Sequence, residues 1–220
     1  PPASSSAASD VYKRQVYQAL AILEQAAAKE TYQEMLIASN VTDALEYAIM
    51  NDFCYTGSSL SSYASGAAVA LVGTNEGGRV LRREAVHAVL SKLQMCFLPD
   101  SWSFGHPAKA VMSNFTRVAT VAISDANKKH MVQYEPLIDT LLQCLIIDDD
   151  NHRKGQDGAD ALQEASVGVL HELSLYGPGA ESLRSHPDTL STLHKLCEVG
   201  TKVSRERGAA ALFELEQEVR

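Results

Sequence analysis

Hydrophobic positions along this chain recur with helical spacing within each segment and with a longer period between segments. Val69, Leu71, Asn75, Val80, Val86, Val89 and Leu93 align without a gap on Val121, Ile123, Asn127, Val132, Ile138, Leu141 and Leu145, 52 residues further on. Val121, Ile123, Met131, Ile138 and Leu141 align in turn on Leu173, Leu175, Leu183, Leu190 and Leu193. A repeat with helical periodicity inside each copy predicts a stack of helical units.

The pattern predicts individual elements. From Ala108 to Ile123, Val111, Met112, Phe115, Val118, Ala119 and Ala122 are spaced three and four apart, as on one helix face. Ser124-Asp125-Ala126-Asn127 interrupts with capping residues, and a short helix is expected over Lys128–Tyr134. Pro136 stands where a first-turn proline belongs, and a further helix is expected to bury Leu137, Ile138, Leu141, Leu142 and Leu145. The order of long, short and long helix then recurs. Ala161–Tyr176 is the next long helix, stopped by Gly177-Pro178-Gly179, with a short helix through Arg184. Pro187 opens a helix that Gly200 closes, and a last helix runs from Val203 to about Val219.

Leu170, Glu172 and Leu173 also match Leu212, Glu214 and Leu215 at a spacing of 42. The ten extra residues of the earlier copies therefore fall at one point of each unit, at Gln94–Pro107 and Asp148–Gly158. They are expected to project from one side of the stack. Small residues at Ser166, Gly168, Ala209 and Ala210 would let neighbouring helices approach closely.

A period near 42 with helices in this order resembles the armadillo family. The likeness is best at Ala209–Leu215, which looks like the family's third helix, and at Asn127 and Gly179, which hold the turn after it. It covers Ser58–Val219. A two-helix HEAT-type stack is the structural alternative. The resemblance implies an all-α fold, a right-handed α-solenoid of about three to four three-helix repeats. Residues 58–219 would form the repeat domain and residues 16–57 a degenerate leading unit.

The resemblance also implies a concave groove, lined by third helices, that accepts extended peptides. The family's groove asparagine is replaced here by Thr120, Glu172 and Glu214. Together with His171, these residues suggest an acidic groove for a protein or peptide bearing Lys or Arg. Solvated helix positions are the plainer reading of the same glutamates.

Composition narrows the alternatives. The chain has 220 residues, 45% hydrophobic and 21% charged, too apolar for disorder. The net charge is −8, from 19 basic and 27 acidic residues, which disfavours phosphate backbones and hence nucleic acid. Lys128-Lys129-His130 is the densest basic cluster and reads as a solvated helix start. Charges interrupt every apolar run, so no membrane span is expected. Cys54, Cys96, Cys144 and Cys197 are far apart, without C-x-x-C pairs or zinc-spaced histidines. They read as buried reduced thiols in a cytoplasmic or nucleo-cytoplasmic protein.

Residues 1–15 stand apart. Asp10–Gln15 resembles one reading frame of a sequencing adaptor, preceded by a Pro/Ser/Ala tract, so a disordered, artefactual leader and a missing native N-terminus are expected. Setting aside Asp10, Lys13 and Arg14 leaves 17 basic against 26 acidic side chains, so the charge argument is unchanged.

Catalytic and metal chemistry finds little support. An EF-hand reading from Asp148 fails at the fifth and sixth positions, His152 and Arg153, and a flexible charged connection is expected instead. No G-x-S-x-G elbow occurs. Gly73–Gly78 is glycine-rich but lacks the strand a phosphate loop requires. His106 and His186 each precede a proline, a turn role. No catalytic, metal or cofactor residue and no small-molecule substrate is therefore assigned. The expectation is a non-catalytic scaffold or adaptor, of a kind found in eukaryotes. The regulatory arm of a larger multidomain signalling enzyme is the alternative.

Overall fold

The computed structural model describes residues 4–50, 54–55, 58–72, 80–99 and 106–217. Gly73–Gly78, including Asn75, and residues 100–105 of the connection Gln94–Pro107 lie outside them. The chain forms two compact units, residues 1–88 and 89–220.

The first unit holds α1 (Ser4–Ala27), α2 (Glu30–Ala38), α3 (Val41–Met50), α4 (Leu60–Val72) and the start of α5 (Arg83–Met95). A two-residue antiparallel pairing joins β1 (Cys54–Tyr55) to β2 (Ser58–Ser59). Every other regular element among the described residues is a helix, so the fold is all-α. Residues 4–15, set aside as a disordered leader, continue into α1, and their serine- and alanine-rich stretch has no helix breaker. Helix α4 packs on α1 and α3. Its small side chains Ala64, Ser65, Ala67 and Ala68 are all buried, which permits close approach. Between α2 and α3, Asn40 adopts φ +53°, a left-handed conformation that asparagine tolerates. Buried Glu46 accepts from the Arg82 backbone N–H and from its Nε, both at 3.0 Å. Patterning set limits at 15/16 and 57/58, whereas the compact units meet within α5, because α4 packs on the helices before it.

The second unit holds the rest of α5, then α6 (Ala108–Val121), α7 (Asp125–Met131), α8 (Leu137–Leu142) and α9 (Ala159–Ser174). Helices α10 (Gly177–Ser185), α11 (Thr189–Val199) and α12 (Lys202–Glu216) complete it. Helix α9 packs against both α6 and α12. Val111, Phe115 and Val118 of α6, Leu162, Val169 and Leu170 of α9, and Ala211 and Leu215 of α12 are buried. Local chemistry starts these helices. Thr201 caps α12 by accepting from Ser204 N at 3.1 Å, and Pro178 sits in the first turn of α10, where no N–H is needed.

Three local expectations are corrected. The helix expected through Leu145 is the six-residue α8. It can end early because side chains capture carbonyls there: Ser166 donates to Leu141 O at 2.7 Å, Gln163 to Leu145 O at 2.6 Å and Asn151 to Ile146 O at 2.8 Å. Close approach at α12 uses Gly208 and Ala211, while Ala209 is exposed.

The connection after α8 is neither simply projecting nor a solvated charged linker. Arg153 is buried, with Nη1 donating to His106 O and Nη2 to Cys96 O, both at 2.8 Å. Its guanidinium lies 4.9 Å from the centre of the Phe97 ring. Gln156 Oε1 accepts from Ala108 N at 3.0 Å, so the connection also caps the start of α6. Gly158 closes it at φ +89°, where a Cβ would stand 3.2 Å from Lys109 N.

Candidate functional site

Thr120, His171, Glu172 and Glu214 lie near the C-terminal ends of α6, α9 and α12. Each helix is held by buried neighbours of these residues: Val118 and Val121, Leu170 and Leu173, Leu212 and Leu215. All four candidates are half-buried. Because α9 lies against both other helices, His171 and Glu172 occupy the middle helix of the three. No hydrogen bond or ion pair joins any two of the four.

Their chemistry differs from a plain acidic groove. Thr120 spends its hydroxyl on Thr116 O at 2.9 Å, within its own helix. Glu172 Oε2 faces the Lys128 ammonium at 3.5 Å, and that ammonium also reaches Asp125 Oδ1 at 3.0 Å. Lys128 is 4% exposed, so it is not a solvated helix-start lysine. A buried ammonium needs carboxylate partners, and Glu172 is one of them. The Glu214 carboxylate pairs with none of the described residues. Its carbonyl accepts from Arg184 Nη2 at 3.1 Å, while Arg184 Nε donates to Leu215 O at 2.7 Å. Arg184 thus caps the C-terminal end of α12, where a cation is favoured. Phe213 beside Glu214 is 64% exposed.

A concavity of about 520 Å3 opens elsewhere, between the chain leaving α5, α8 and the start of α11. Phe97, Leu98 and Leu142 supply apolar walls, and Asp139 and Asp188 supply carboxylates. None of the four candidates lines it. At its edge His186 Nε2 lies 3.0 Å from Asp139 Oδ1, and His186 Nδ1 accepts from Asp188 N at 3.3 Å. The turn role expected of His186 is present, together with a carboxylate contact across 47 residues. Sequence reasoning missed Asp139 and Asp188, since neither belongs to a motif and only the tertiary fold brings them to one concavity.

Cys96 and Cys144 are buried, and burial pushes the Cys144 thiol well above its ordinary value. Burial also raises the half-buried Cys197 thiol. Both shifts oppose thiolate formation. Among the described residues no three His, Cys, Asp or Glu side chains are grouped to hold a metal ion, and no helix is long and apolar enough to cross a membrane. Comparison of the chain with known family models, with curated proteins and with solved structures finds no match.

Proposed function

We propose that this chain is a non-catalytic protein-interaction module, a right-handed armadillo-like stack whose α6, α9 and α12 line a groove for a basic segment of a partner protein. The observation that carries the reading is the packing of α9 between α6 and α12. Helices α9 and α12 hold matching sequence positions, and each is preceded by two shorter helices, α7–α8 and α10–α11. Each layer covers apolar surface that its neighbour cannot bury alone.

Within the groove, Glu214 and Glu172 receive the partner's cations. Glu214 is the stronger acceptor, because Lys128 already offsets part of the charge on Glu172. Exposed Phe213 adds an apolar contact next to Glu214. Such a site gains specificity from charge and affinity from the aromatic side chain.

Fluorescence anisotropy with a labelled lysine- and arginine-rich peptide tests the reading. The Glu172→Arg/Glu214→Arg variant should bind at least about tenfold more weakly, about 1.4 kcal/mol. Undiminished binding by that variant, with its fold intact by circular dichroism, would overturn the groove assignment.

A further inference from the structure

We infer that the concavity between α8 and α11 is a separate recognition site, which takes an arginine side chain flanked by apolar residues of a partner polypeptide. Its volume, about 520 Å3, falls within the range of about 300–1,000 Å3 typical of ligand sites. The lining combines the apolar residues Phe97, Leu98, Pro136 and Leu142 with a larger polar share that includes two aspartates.

The polar groups select the ligand. Neither lysine nor arginine lines the concavity, while Asp139 and Asp188 both do. The nearest lysine of α11, Lys195, is engaged with Asp148 at 3.1 Å. Asp139 uses Oδ1 for His186, and its Oδ2 bonds to none of the described residues. The Asp188 carboxylate bonds to none of them either; only its backbone N–H and carbonyl are used. Asp139 lies in the first turn of α8 and Asp188 at the N-cap of α11. Two aspartates with spare carboxylate oxygens therefore line one concavity.

A phosphate or carboxylate ligand would be repelled there. Among the described residues, no third His, Cys, Asp or Glu joins the two aspartates to hold a metal ion. A guanidinium fits best, since its planar fork donates to carboxylates and its weak hydration suits a lining that includes Phe97 and Leu142. The side-chain amides of Gln94 and Gln143 can accept its remaining N–H groups, although Gln94 Oε1 already accepts from Tyr134. Flanking apolar residues of the partner would cover Leu98 and Pro136.

This site does not depend on the groove reading, and the two can fail separately. The test titrates the isotope-labelled full chain with acetyl-Leu-Arg-Leu-amide, following the side-chain amides of Gln94 and Gln143 and the backbone amide of Thr192 by NMR. Saturable shifts at these three positions are expected. Affinity should fall at least about tenfold in Asp188→Asn and for acetyl-Leu-Glu-Leu-amide. Thr192→Arg, which places the chain's own guanidinium at the site, should block binding even if Asp188→Asn perturbs α11. Glu172→Arg/Glu214→Arg should bind this probe normally. No saturable shift, equal shifts with the glutamate peptide, or shifts confined to the ends of α6, α9 and α12 would overturn the assignment.

Discussion

The Arg153 guanidinium donates to the Cys96 carbonyl at 2.8 Å, linking the connection after α8 to the chain leaving α5. A second nitrogen holds His106 O, just before α6, at the same distance. Burial pulls the guanidinium pKa down from its usual value, but an arginine remains charged there. Its charge is met by carbonyls and the Phe97 ring rather than by a carboxylate. Removing it leaves two carbonyls without their donor. Arg153→Met should lower unfolding free energy by about 3 kcal/mol, read as a lower urea midpoint at unchanged slope. Arg153→Lys should recover only part of this, because one ammonium cannot reproduce the fork.

Leu170 is fully buried on the middle helix of the second unit, and Leu212 is 7% exposed on α12. Leu170→Ala should cost about 2–5 kcal/mol by opening a cavity, with Leu212→Ala at the lower end. Phe213→Ala, one residue from Leu212 but exposed, should stay within about 0.5 kcal/mol. Thermal melts of the three variants check the order; a Leu170→Ala melt matching wild type would refute the core placement.

Gly179 is set by close approach. A Cβ there would stand 2.3 Å from the backbone oxygen of Leu173, which cannot rotate away. Gly179→Ala should therefore destabilise by about 1–3 kcal/mol. Gly177→Ala is the matched control, since its Cβ meets nothing within 4 Å. Equal Tm values for the two variants would contradict the packing of α10 on the end of α9.

The Asp148 carboxyl titrates below the ordinary aspartate range, first because Lys195 donates to it and then because of that lysine's charge. A folded pKa below the unfolded one means the contribution to stability is present above about pH 4 and is lost as pH falls through the folded value. Carboxyl NMR titration should show Asp148 returning toward the ordinary value in Lys195→Gln. No change on that substitution would rule out Lys195 as the cause.

Most helices of the second unit were legible from apolar spacing, because buried positions such as Val111, Phe115, Val118, Leu162 and Leu170 repeat at three and four residues. Punctuation by Ser124, Gly177-Pro178 and Gly200 placed the breaks within a few residues. The shortness of α8 was not legible, since its end is set by Asn151, Gln163 and Ser166 arriving from later in the chain. Arg153 was misread for a related reason: a charged residue in an acidic run looks solvated until the fold supplies carbonyls around it. Lys128 inverted in the same way, its burial made tolerable by Glu172 from two helices later. The four groove positions could be named from register, but the charge state of their surroundings depended on that tertiary pair.

In the proposed stack, α7–α8–α9 and α10–α11–α12 are successive equivalent layers, with α9 against both α6 and α12. A crystal structure of the full chain tests it most directly. Residues 125–131 and 160–174 should superpose on residues 177–183 and 202–216 by one rotation and translation, with the Lys128 ammonium against Glu172. A structure in which α12 packs away from α9, or in which no single operation relates the two sets of helices, would contradict it.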